Sequence, residues 1–383
     1  MSLIEIKKVE SKKDLKTFID FHYDLYEGNE YDVPNLFSDE MNTLSKDKNA
    51  AFEFCEAEYY LAYKDGKLAG RVAAIINHKA NNKWGKKSVR FGWIDFIDDR
   101  EVSKALLDAV EKYGKEKGME DMVGPLGFTD MDPEGMLTWG FDQLGTMPTI
   151  YNYPYYPEHI EALEGFVVDN KYVEFKIMVP DTVPEKYAKI AMMIEKRYNL
   201  HVRKLTKKEV FQGGMGQKIF DLINDTYKDL YGYSELSQKQ IDQLIKSYLS
   251  FLDFNLITCI EDWTGGEHKL IGVGITMPSL AHALQKCHRG RLFPFGWYHV
   301  LRAIKQHKTN IVDLLLIGIL PEYRAKGANA LLFADLIPWY QKYGIEWGET
   351  QVELENNAGV QGQWGALTPV MHKRRKCYKK IIK

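Results

Sequence analysis

One segment, residues 311–333, limits the possible folds of this chain more than any other. An apolar run, Ile311–Leu320, stops at Pro321, and a short basic turn containing Gly327 follows. A helical pattern then begins and continues to Tyr343. A buried strand, a glycine turn and a helix N-terminus together present backbone N–H groups and the positive end of a helix dipole to an anion. The segment therefore predicts a strand–turn–helix unit of an α/β fold, with a phosphate-like anion at the turn.

The same order of elements occurs twice along the chain. The length of 383 residues fits two domains of roughly 150 residues each, and 45% hydrophobic residues can form two cores. Strands are predicted at 58–64, 68–76, 89–96, 256–261, 270–277 and 311–320, and each set of three precedes a helix, at 102–117 or 324–343. We therefore predict two related domains, residues 1–178 and 179–383, each a twisted mixed β-sheet flanked by helices.

Charge and cysteine usage restrict the partners and the compartment. The formal net charge of −2 gives no overall field that would attract nucleic acid or a membrane, so neither is expected as a partner. The start of the chain lacks the apolar core of a signal peptide, and no apolar run reaches the roughly 18 residues of a membrane span. Four widely spaced cysteines indicate reduced thiols and a cytoplasmic protein. No histidine pair has the spacing of a zinc helix, so no metal is expected.

The second half of the chain resembles the cofactor-binding core of the GNAT acyltransferases, most clearly from Leu270 to Tyr378. The family motif is Gln/Arg-x-x-Gly-x-Gly/Ala, and Arg324 and Gly327 match it, whereas Asn329 stands at the Gly/Ala position. The chain also looks like a group of long GNAT-like bacterial proteins. The resemblance implies two GNAT-like domains and an N-acyltransferase that uses acetyl-CoA, or another acyl-CoA, as cosubstrate for an amine or other small-molecule acceptor.

The resemblance also implies which residues bind the cosubstrate. The turn would hold the CoA pyrophosphate, and the neighbouring strand, 349–355, would be followed by the family's usual asparagine at Asn357. The implied binding residues are Leu320, Arg324, Ala325, Lys326, Gly327, Ala328, Asn329, Ala330 and Asn357.

Two glutamates and one tyrosine are the catalytic candidates. Glu353 and Glu355 share one face of the predicted strand, where either could deprotonate the amine, although a solvent-facing acidic strand is the alternative. Many GNAT enzymes carry a tyrosine acid seven residues beyond the asparagine. Here that position is Trp364, whose indole cannot serve as a general acid. Tyr378 is the substitute candidate, and a packed structural tyrosine is its alternative.

Several features weaken the match and keep a second function open. In the first domain Ser103 replaces the glycine among acidic residues, so that domain is expected to lack a CoA site. Pro338 is expected to kink or shorten the helix of the second domain. An aromatic passage containing Asp130, Asp132, Glu134 and Tyr153 could form an acceptor pocket or a tyrosine-rich packing region. A GNAT-fold binding protein without turnover is therefore the alternative, and homodimer formation stays open.

Overall fold

The computed structural model describes residues 3–383. Its strands are β1 (Ile4–Lys8), β2 (Cys55–Lys64), β3 (Lys67–Asn77), β4 (Ser88–Phe96), β5 (Asp121–Gly124), β6 (Met136–Trp139), β7 (Phe166–Met178), β8 (Leu200–Arg203), β9 (Ile257–Asp262), β10 (Lys269–Pro278), β11 (Ile311–Ile319), β12 (Trp347–Thr350), β13 (Glu353–Leu354) and β14 (Thr368–Ile381). Its α-helices are α1 (Lys12–Leu25), α2 (Phe37–Thr43), α3 (His78–Trp84), α4 (Arg100–Glu116), α5 (Tyr155–Glu161), α6 (Glu185–Tyr198), α7 (Lys207–Phe211), α8 (Met215–Tyr227), α9 (Gln238–Leu244), α10 (Ala281–Gln285), α11 (Gly296–Gln306), α12 (Pro321–Arg324), α13 (Asn329–Lys342) and α14 (Ala358–Gln361). The α/β class predicted from the sequence is confirmed.

The chain folds into two compact units that alternate along the sequence. The first contains the chain up to Val173 together with Ala281–His299 and His372–Lys383, and the second contains Glu174–Leu280 and Val300–Met371. The sequence analysis predicted a single division after residue 178. The observed arrangement differs because two later segments, Ala281–His299 and His372–Lys383, belong to the first unit. Hydrogen bonding explains one of them, because β14 pairs with β5 of the first unit from Tyr378 to Ile381.

The two units contain the same sheet. In the first unit the order is β1-β2-β3-β4-β5-β14, and in the second it is β8-β9-β10-β11-β12-β7. Within each order the fourth and fifth strands run parallel, and the other neighbouring pairs for which the register is defined are antiparallel. This shared order and direction matches the repeat predicted from the sequence.

Each sheet is covered by helices that fill its core. In the first unit, Val102, Leu106 and Val110 of α4 are fully buried against the sheet. Phe18 and Ile19 of α1 are buried in a separate cluster of the same unit. In the second unit, α8 and α13 bury their apolar side chains in the same manner: Ile219, Phe220, Ile223, Leu331, Leu332 and Leu336. The sheets therefore hold the neighbouring turns and strand ends in fixed positions.

Candidate functional site

A gap opens between two parallel strands of the second unit. β11 and β12 pair only from Ile311 to Leu314, opposite Trp347 to Thr350. Opposite β10, the register skips Leu315, which makes this residue a β-bulge. A bulge bends its strand and increases the local twist, so β11 separates from β12 where the pairing ends. Within residues 3–383, the remainder of β11 therefore has an edge without a strand beside it.

The predicted phosphate turn lies at the end of this strand. Leu320 closes β11 through its N–H bond to the Ile271 carbonyl, and the one-turn helix α12 follows it. Gly327 has a φ of +82°, which a side chain would strain, and a Cβ there would lie 3.2 Å from Ile190 of α6. Glycine is therefore required by the shape of the turn and by the helix that packs on it, whether or not an anion binds.

Several backbone N–H groups of the turn already donate to carbonyl groups within the turn. The N–H groups of Lys326 and Gly327 donate to carbonyls of residues 323 and 324, and that of Ala330 donates to Gly327. The Arg324 guanidinium donates to the Ile319 carbonyl at 2.8 Å and to the Thr226 carbonyl at 3.2 Å. Arg324 therefore fastens the strand end to α8, a structural role that the motif alone did not reveal.

The remaining turn residues supply positive charge and a helix start. The Lys326 ammonium lies 4.2 Å from the centre of the Tyr323 ring, and that of Lys269 lies 5.9 Å from it. Ala325 is exposed and Ala328 is buried. Asn329 is the first residue of α13, so the helix begins later than the predicted Arg324. The turn thus combines two lysines with a helix N-terminus, which is a favourable setting for an anion.

Helix α13 also differs from the prediction at its proline. It continues through Pro338 to Lys342, so the proline does not shorten it. The buried residues on both sides of this position, Ile337 and Tyr340 among them, hold the helix against the sheet. Tertiary packing therefore outweighs the lost backbone hydrogen bond, which costs about 3 kcal/mol in an unsupported helix.

Tyr227 covers the free edge of β11. Its hydroxyl donates to the Ile317 carbonyl at 3.1 Å and accepts from the Ile317 N–H at 3.3 Å. Burial raises the pKa of Tyr227 to about 12, and the Glu353 carboxylate adds to the rise while Arg324 opposes it. The Arg324 guanidinium and the Glu353 carboxylate therefore both lie within electrostatic reach of the Tyr227 phenol. Nothing in the sequence pattern identified Tyr227.

Glu353 of β13 is a buried carboxyl group near enough to Tyr227 to affect its pKa. Its side chain is only 8% exposed, and its Oε1 accepts a 3.0 Å bond from the Trp364 indole N–H. Among residues 3–383, no donor or acceptor faces its Oε2. Burial raises the pKa of Glu353 to about 7, although the indole bond lowers it. A carboxyl group with this pKa can both accept and return a proton near neutral pH.

The other predicted catalytic residues have surroundings different from those of Glu353. The predicted strand 349–355 is interrupted after Thr350, and Glu355 lies beyond β13 with an exposed side chain. Asn357 caps α14, where its Oδ1 accepts from the Val360 N–H at 3.3 Å. Tyr378 belongs to the first unit, and its buried hydroxyl donates to Glu161 at 2.9 Å. Burial raises the pKa of Tyr378 far above its usual range.

The first unit has the corresponding turn, and a carboxylate already occupies it. Asp99 caps α4 by accepting from the N–H groups of Glu101 and Val102, at 3.0 and 3.2 Å. Lys64 forms ion pairs with both Asp99 and Glu101. An anion is therefore already present at this helix N-terminus, as the acidic sequence indicated, and it would repel a phosphate.

The gap of the first unit holds a charged cluster instead. β4 and β5 pair only from Ser88 to Arg90, and the register of β4 shifts near Trp93, which has a φ of +43°. Beside this irregularity lies a cavity of about 80 Å³. Buried charged groups line it, with His22, Asp32, Glu40, Arg71 and Asp95 among them.

His22 is the centre of that cluster. Its ring nitrogens lie 3.3 Å from Asp32 and 3.1 Å from Asp95, and Arg71 forms a second, buried ion pair with Asp95 at 2.7 Å. Burial opposes a charge on His22, yet the two carboxylates overcome it and raise its pKa to about 10. The same partners hold the pKa of Asp95 at about 2 despite its burial. His22 is therefore an imidazolium throughout the neutral range.

The aromatic passage of the first unit is mainly a packing region. Tyr153 stacks on Tyr26 with ring centres 4.8 Å apart, and its hydroxyl donates to the Leu25 carbonyl. Asp132 accepts from the Thr129 N–H at 2.8 Å, and burial raises its pKa to about 6. Burial also raises the pKa of Glu134 to about 8. These contacts fit the tyrosine-rich packing alternative for this passage. Within residues 3–383, no group of three or more possible metal ligands occurs.

Comparisons with known proteins agree with this architecture. No protein-family model matches the chain. Protein YghO of Escherichia coli strain K12 is 25% identical to it over 377 residues, which cover 97% of this chain and 94% of that protein. Bacterial ceramide synthase of Caulobacter vibrioides is 24% identical over 333 residues, covering 86% and 84%.

A solved structure shares the whole fold. The tandem GNAT protein from the clavulanic acid biosynthesis pathway superposes with a TM-score of 0.57 at 11% identity, covering 100% of this chain and 99% of that one. The repeated sheet order, the single parallel pair in each sheet and this superposition define a tandem GNAT fold. The chain is a long member of that fold class, as the resemblance at Arg324 and Gly327 predicted.

Proposed function

We propose that the protein is an acyl-CoA-dependent N-acyltransferase. The acyl-CoA would bind at the turn of the second unit, residues 320–330, and the amine would react in the gap beside Glu353. The observation that carries this proposal is the Glu353 carboxyl group, which is buried at the gap with one oxygen unpartnered and a pKa of about 7. Buried acids with shifted pKa values are concentrated at functional sites.

The proposed chemistry needs one proton carrier. The acceptor reacts as the neutral amine: its nitrogen attacks the thioester carbonyl carbon and gives one proton to Glu353, and an acceptor that begins as the ammonium first releases another proton to solvent. The C–S bond breaks as the amide C–N bond forms, and protonated Glu353 returns the proton to the CoA thiolate. Because a thioester is already activated, most of the rate would come from holding the amine against it. A separate acid at Trp364 or Tyr378 is then unnecessary.

The relatives support an amine acceptor. One of them is named a ceramide synthase, and ceramide is an amide of a long-chain amino alcohol. We propose the same chemical class, a long-chain amine and a long acyl-CoA, as the first substrates to test. Acetyl-CoA and small polar amines are the second pair of substrates to test.

Binding and transfer are measured separately. Calorimetry with acetyl-CoA and palmitoyl-CoA tests the turn, and absence of binding at millimolar ligand would refute the proposal. Transfer is followed as release of CoA thiol when a panel of long-chain and polar amines is added. Glu353→Gln should bind acyl-CoA like the wild type and release thiol about 10²–10⁴-fold more slowly. Glu355→Gln is the matched control, because its exposed side chain should not contribute.

Tyr227 favours a second candidate, a GNAT-fold binding protein without turnover. Its hydroxyl holds both backbone groups of Ile317, on the strand edge where a thioester carbonyl would need a donor. Tyr227→Phe distinguishes the two candidates. If the phenol blocks the edge, the variant gains acyl-CoA binding or transfer. If the phenol assists, transfer falls.

A further inference from the structure

A basic segment with projecting aromatic side chains lies outside the proposed active site. From Ser279 to Val312 the sequence has six lysines and arginines and four histidines, with no aspartate or glutamate. The whole chain, by contrast, carries a net charge of −2. This segment therefore has a local net positive charge, which the net charge of the whole chain conceals.

Several large apolar side chains of this segment are exposed to solvent. Phe293 and Phe295 are 78% and 74% exposed, so most of their surface is free of contact with the protein. Trp297, Tyr298 and Leu301 are also exposed large side chains. The five residues define what we call the aromatic ridge. Trp297 is fixed by a 3.0 Å bond from its indole N–H to the Pro294 carbonyl. The ridge is thus an ordered surface feature at the start of α11.

Helix α11 continues the ridge with positive charge. Leu301 and Lys305 lie one turn apart and are both exposed, and Lys308 is exposed just beyond the helix end. Ala303 on the other side is buried, so the helix is amphipathic and its outward face is apolar first and basic afterwards. Lys286 is a further exposed cation of the segment.

Two other cations of the segment have a different role. Arg289 forms ion pairs with Asp20 and Asp24, and Arg291 bonds to Asp20 at 3.0 Å and lies over the Phe37 ring. These contacts fasten the start of the segment to α1 of the first unit. Lys286, Lys305 and Lys308 therefore supply outward-facing charge, while Arg289 and Arg291 hold the start of the segment in place.

We infer that the aromatic ridge and the lysines beside it bind the surface of an anionic lipid bilayer. Aromatic and aliphatic side chains insert at the level of the headgroups, and lysines on the same face interact with anionic lipids. The segment from Ser279 to Val312 contains no carboxylate of its own, and the neighbouring Asp20, Asp24 and Asp253 lie against Arg289, Arg291 and His307. None of the helices between residues 3 and 383 has the length and apolar character that crossing a bilayer needs. The inference departs from the expectation, based on net charge, that a membrane is not a partner.

Vesicle co-sedimentation of the full chain tests the inference without any substrate. The wild type should bind vesicles of phosphatidylcholine with about one third phosphatidylglycerol, bind pure phosphatidylcholine much more weakly, and dissociate in high salt. Phe293→Ser/Phe295→Ser should weaken the partition coefficient at least tenfold. Lys305→Glu/Lys308→Glu changes the charge by four units and should weaken it roughly 600-fold, because each unit of charge near an anionic surface changes partitioning about fivefold.

Matched variants on α6 and α7 control for general effects. Met192→Ser/Met193→Ser removes another exposed apolar pair, and Lys207→Glu/Lys208→Glu reverses another exposed basic pair. Both should bind vesicles like the wild type. The inference is overturned if the wild type ignores anionic vesicles or if the ridge variants bind unchanged. It is also overturned if light scattering shows a dimer that the Phe variant dissociates, since the ridge would then contact a second copy.

Discussion

Glu353→Gln should stabilise the protein at alkaline pH while it abolishes transfer. The reason is the environment of the carboxyl group. An ionised Glu353 would place a buried negative charge beside an indole N–H, with no donor for its second oxygen among residues 3–383. Glutamine keeps an oxygen that accepts from Trp364 and carries no charge. It therefore imitates the protonated acid.

The magnitude follows from the pKa of Glu353. The pKa rises from an ordinary 4.5 to about 7. At about 1.4 kcal/mol for each tenfold change in acidity, ionisation inside the folded protein costs about 3 kcal/mol. Between pH 4.5 and 7 the folded state keeps a proton that the unfolded state has lost, so stability falls as pH rises. Above pH 7 both states are ionised and the full cost is present.

Urea unfolding at pH 5 and pH 8, followed by tryptophan fluorescence, measures this difference. The variant should match the wild type within about 1 kcal/mol at pH 5 and exceed it by about 3 kcal/mol at pH 8. Glu355→Gln should show the same stability as the wild type at both values. An equal difference at both pH values, or a less stable variant at pH 8, would refute the assignment of a buried, strained carboxylate. A stability gain with lost transfer is typical of a functional residue, whereas a structural residue loses both.

Two further predictions concern the same carboxyl group and the cluster of the first unit. Trp364→Phe removes the bond that lowers the pKa of Glu353, so the midpoint of the pH–rate profile should move above 7, and an unchanged midpoint would show that the indole is not coupled to catalysis. His22→Gln leaves Asp32 and Asp95 facing each other and should cost about 3 kcal/mol at pH 6. Because the pKa of His22 is raised from 6.5 to about 10, this stabilisation is complete below pH 6.5 and is lost as pH rises through 10. Unfolding at pH 6 and pH 9.5 measures it, and a loss that does not shrink at the higher pH would contradict the imidazolium assignment.

Local patterns predicted most of the fold because the periodicity of a strand or helix is a local property. The hairpin of β2 and β3, the helix α4 and the strand β11 were all visible in the apolar spacing. The start of α13 was not. The pattern extends back to Arg324, but the left-handed Gly327 and the packing of α6 on the turn delay the helix to Asn329.

Where a strand is interrupted depends on which strands lie beside it, and a single sequence does not show those neighbours. Residues 349–355 alternate as one strand would, yet pairing with β11 ends at Thr350. Beyond it, β13 pairs with β7. As a result Glu353 becomes buried and Glu355 does not, although both occupy the same face in an ideal strand. The burial of Arg375, whose guanidinium donates to the Gly135 and Ile150 carbonyls, is likewise not visible in the sequence alone.

The buried polar contacts that sequence reasoning missed join distant positions. His22 meets Asp95 across 73 residues, and Tyr227 meets Ile317 across 90. Neither pair has a spacing that any helix or strand period would indicate. The sequence offered one indirect indication that a polar group such as Tyr227 would be found here. Once a gap is expected beside β11, some polar group must satisfy the free backbone of that strand.

The two gaps explain why one fold would carry chemistry in only one of its units. Both arise from a parallel pair that ends early beside an irregular strand. In the first unit, ion pairs satisfy the charges around His22, and a carboxylate caps the nearby helix, so each charge is matched within the protein. In the second unit, Glu353 has an oxygen without a partner among residues 3–383, and the turn carries Lys326 and Lys269, the second of which pairs with Glu322 at 3.6 Å. A cluster of paired charges stabilises a fold. A buried acid without a partner can instead take a proton from a substrate, and a turn that attracts anions can bind the phosphate of that substrate. The second unit is therefore where an acyl donor and an amine should be sought.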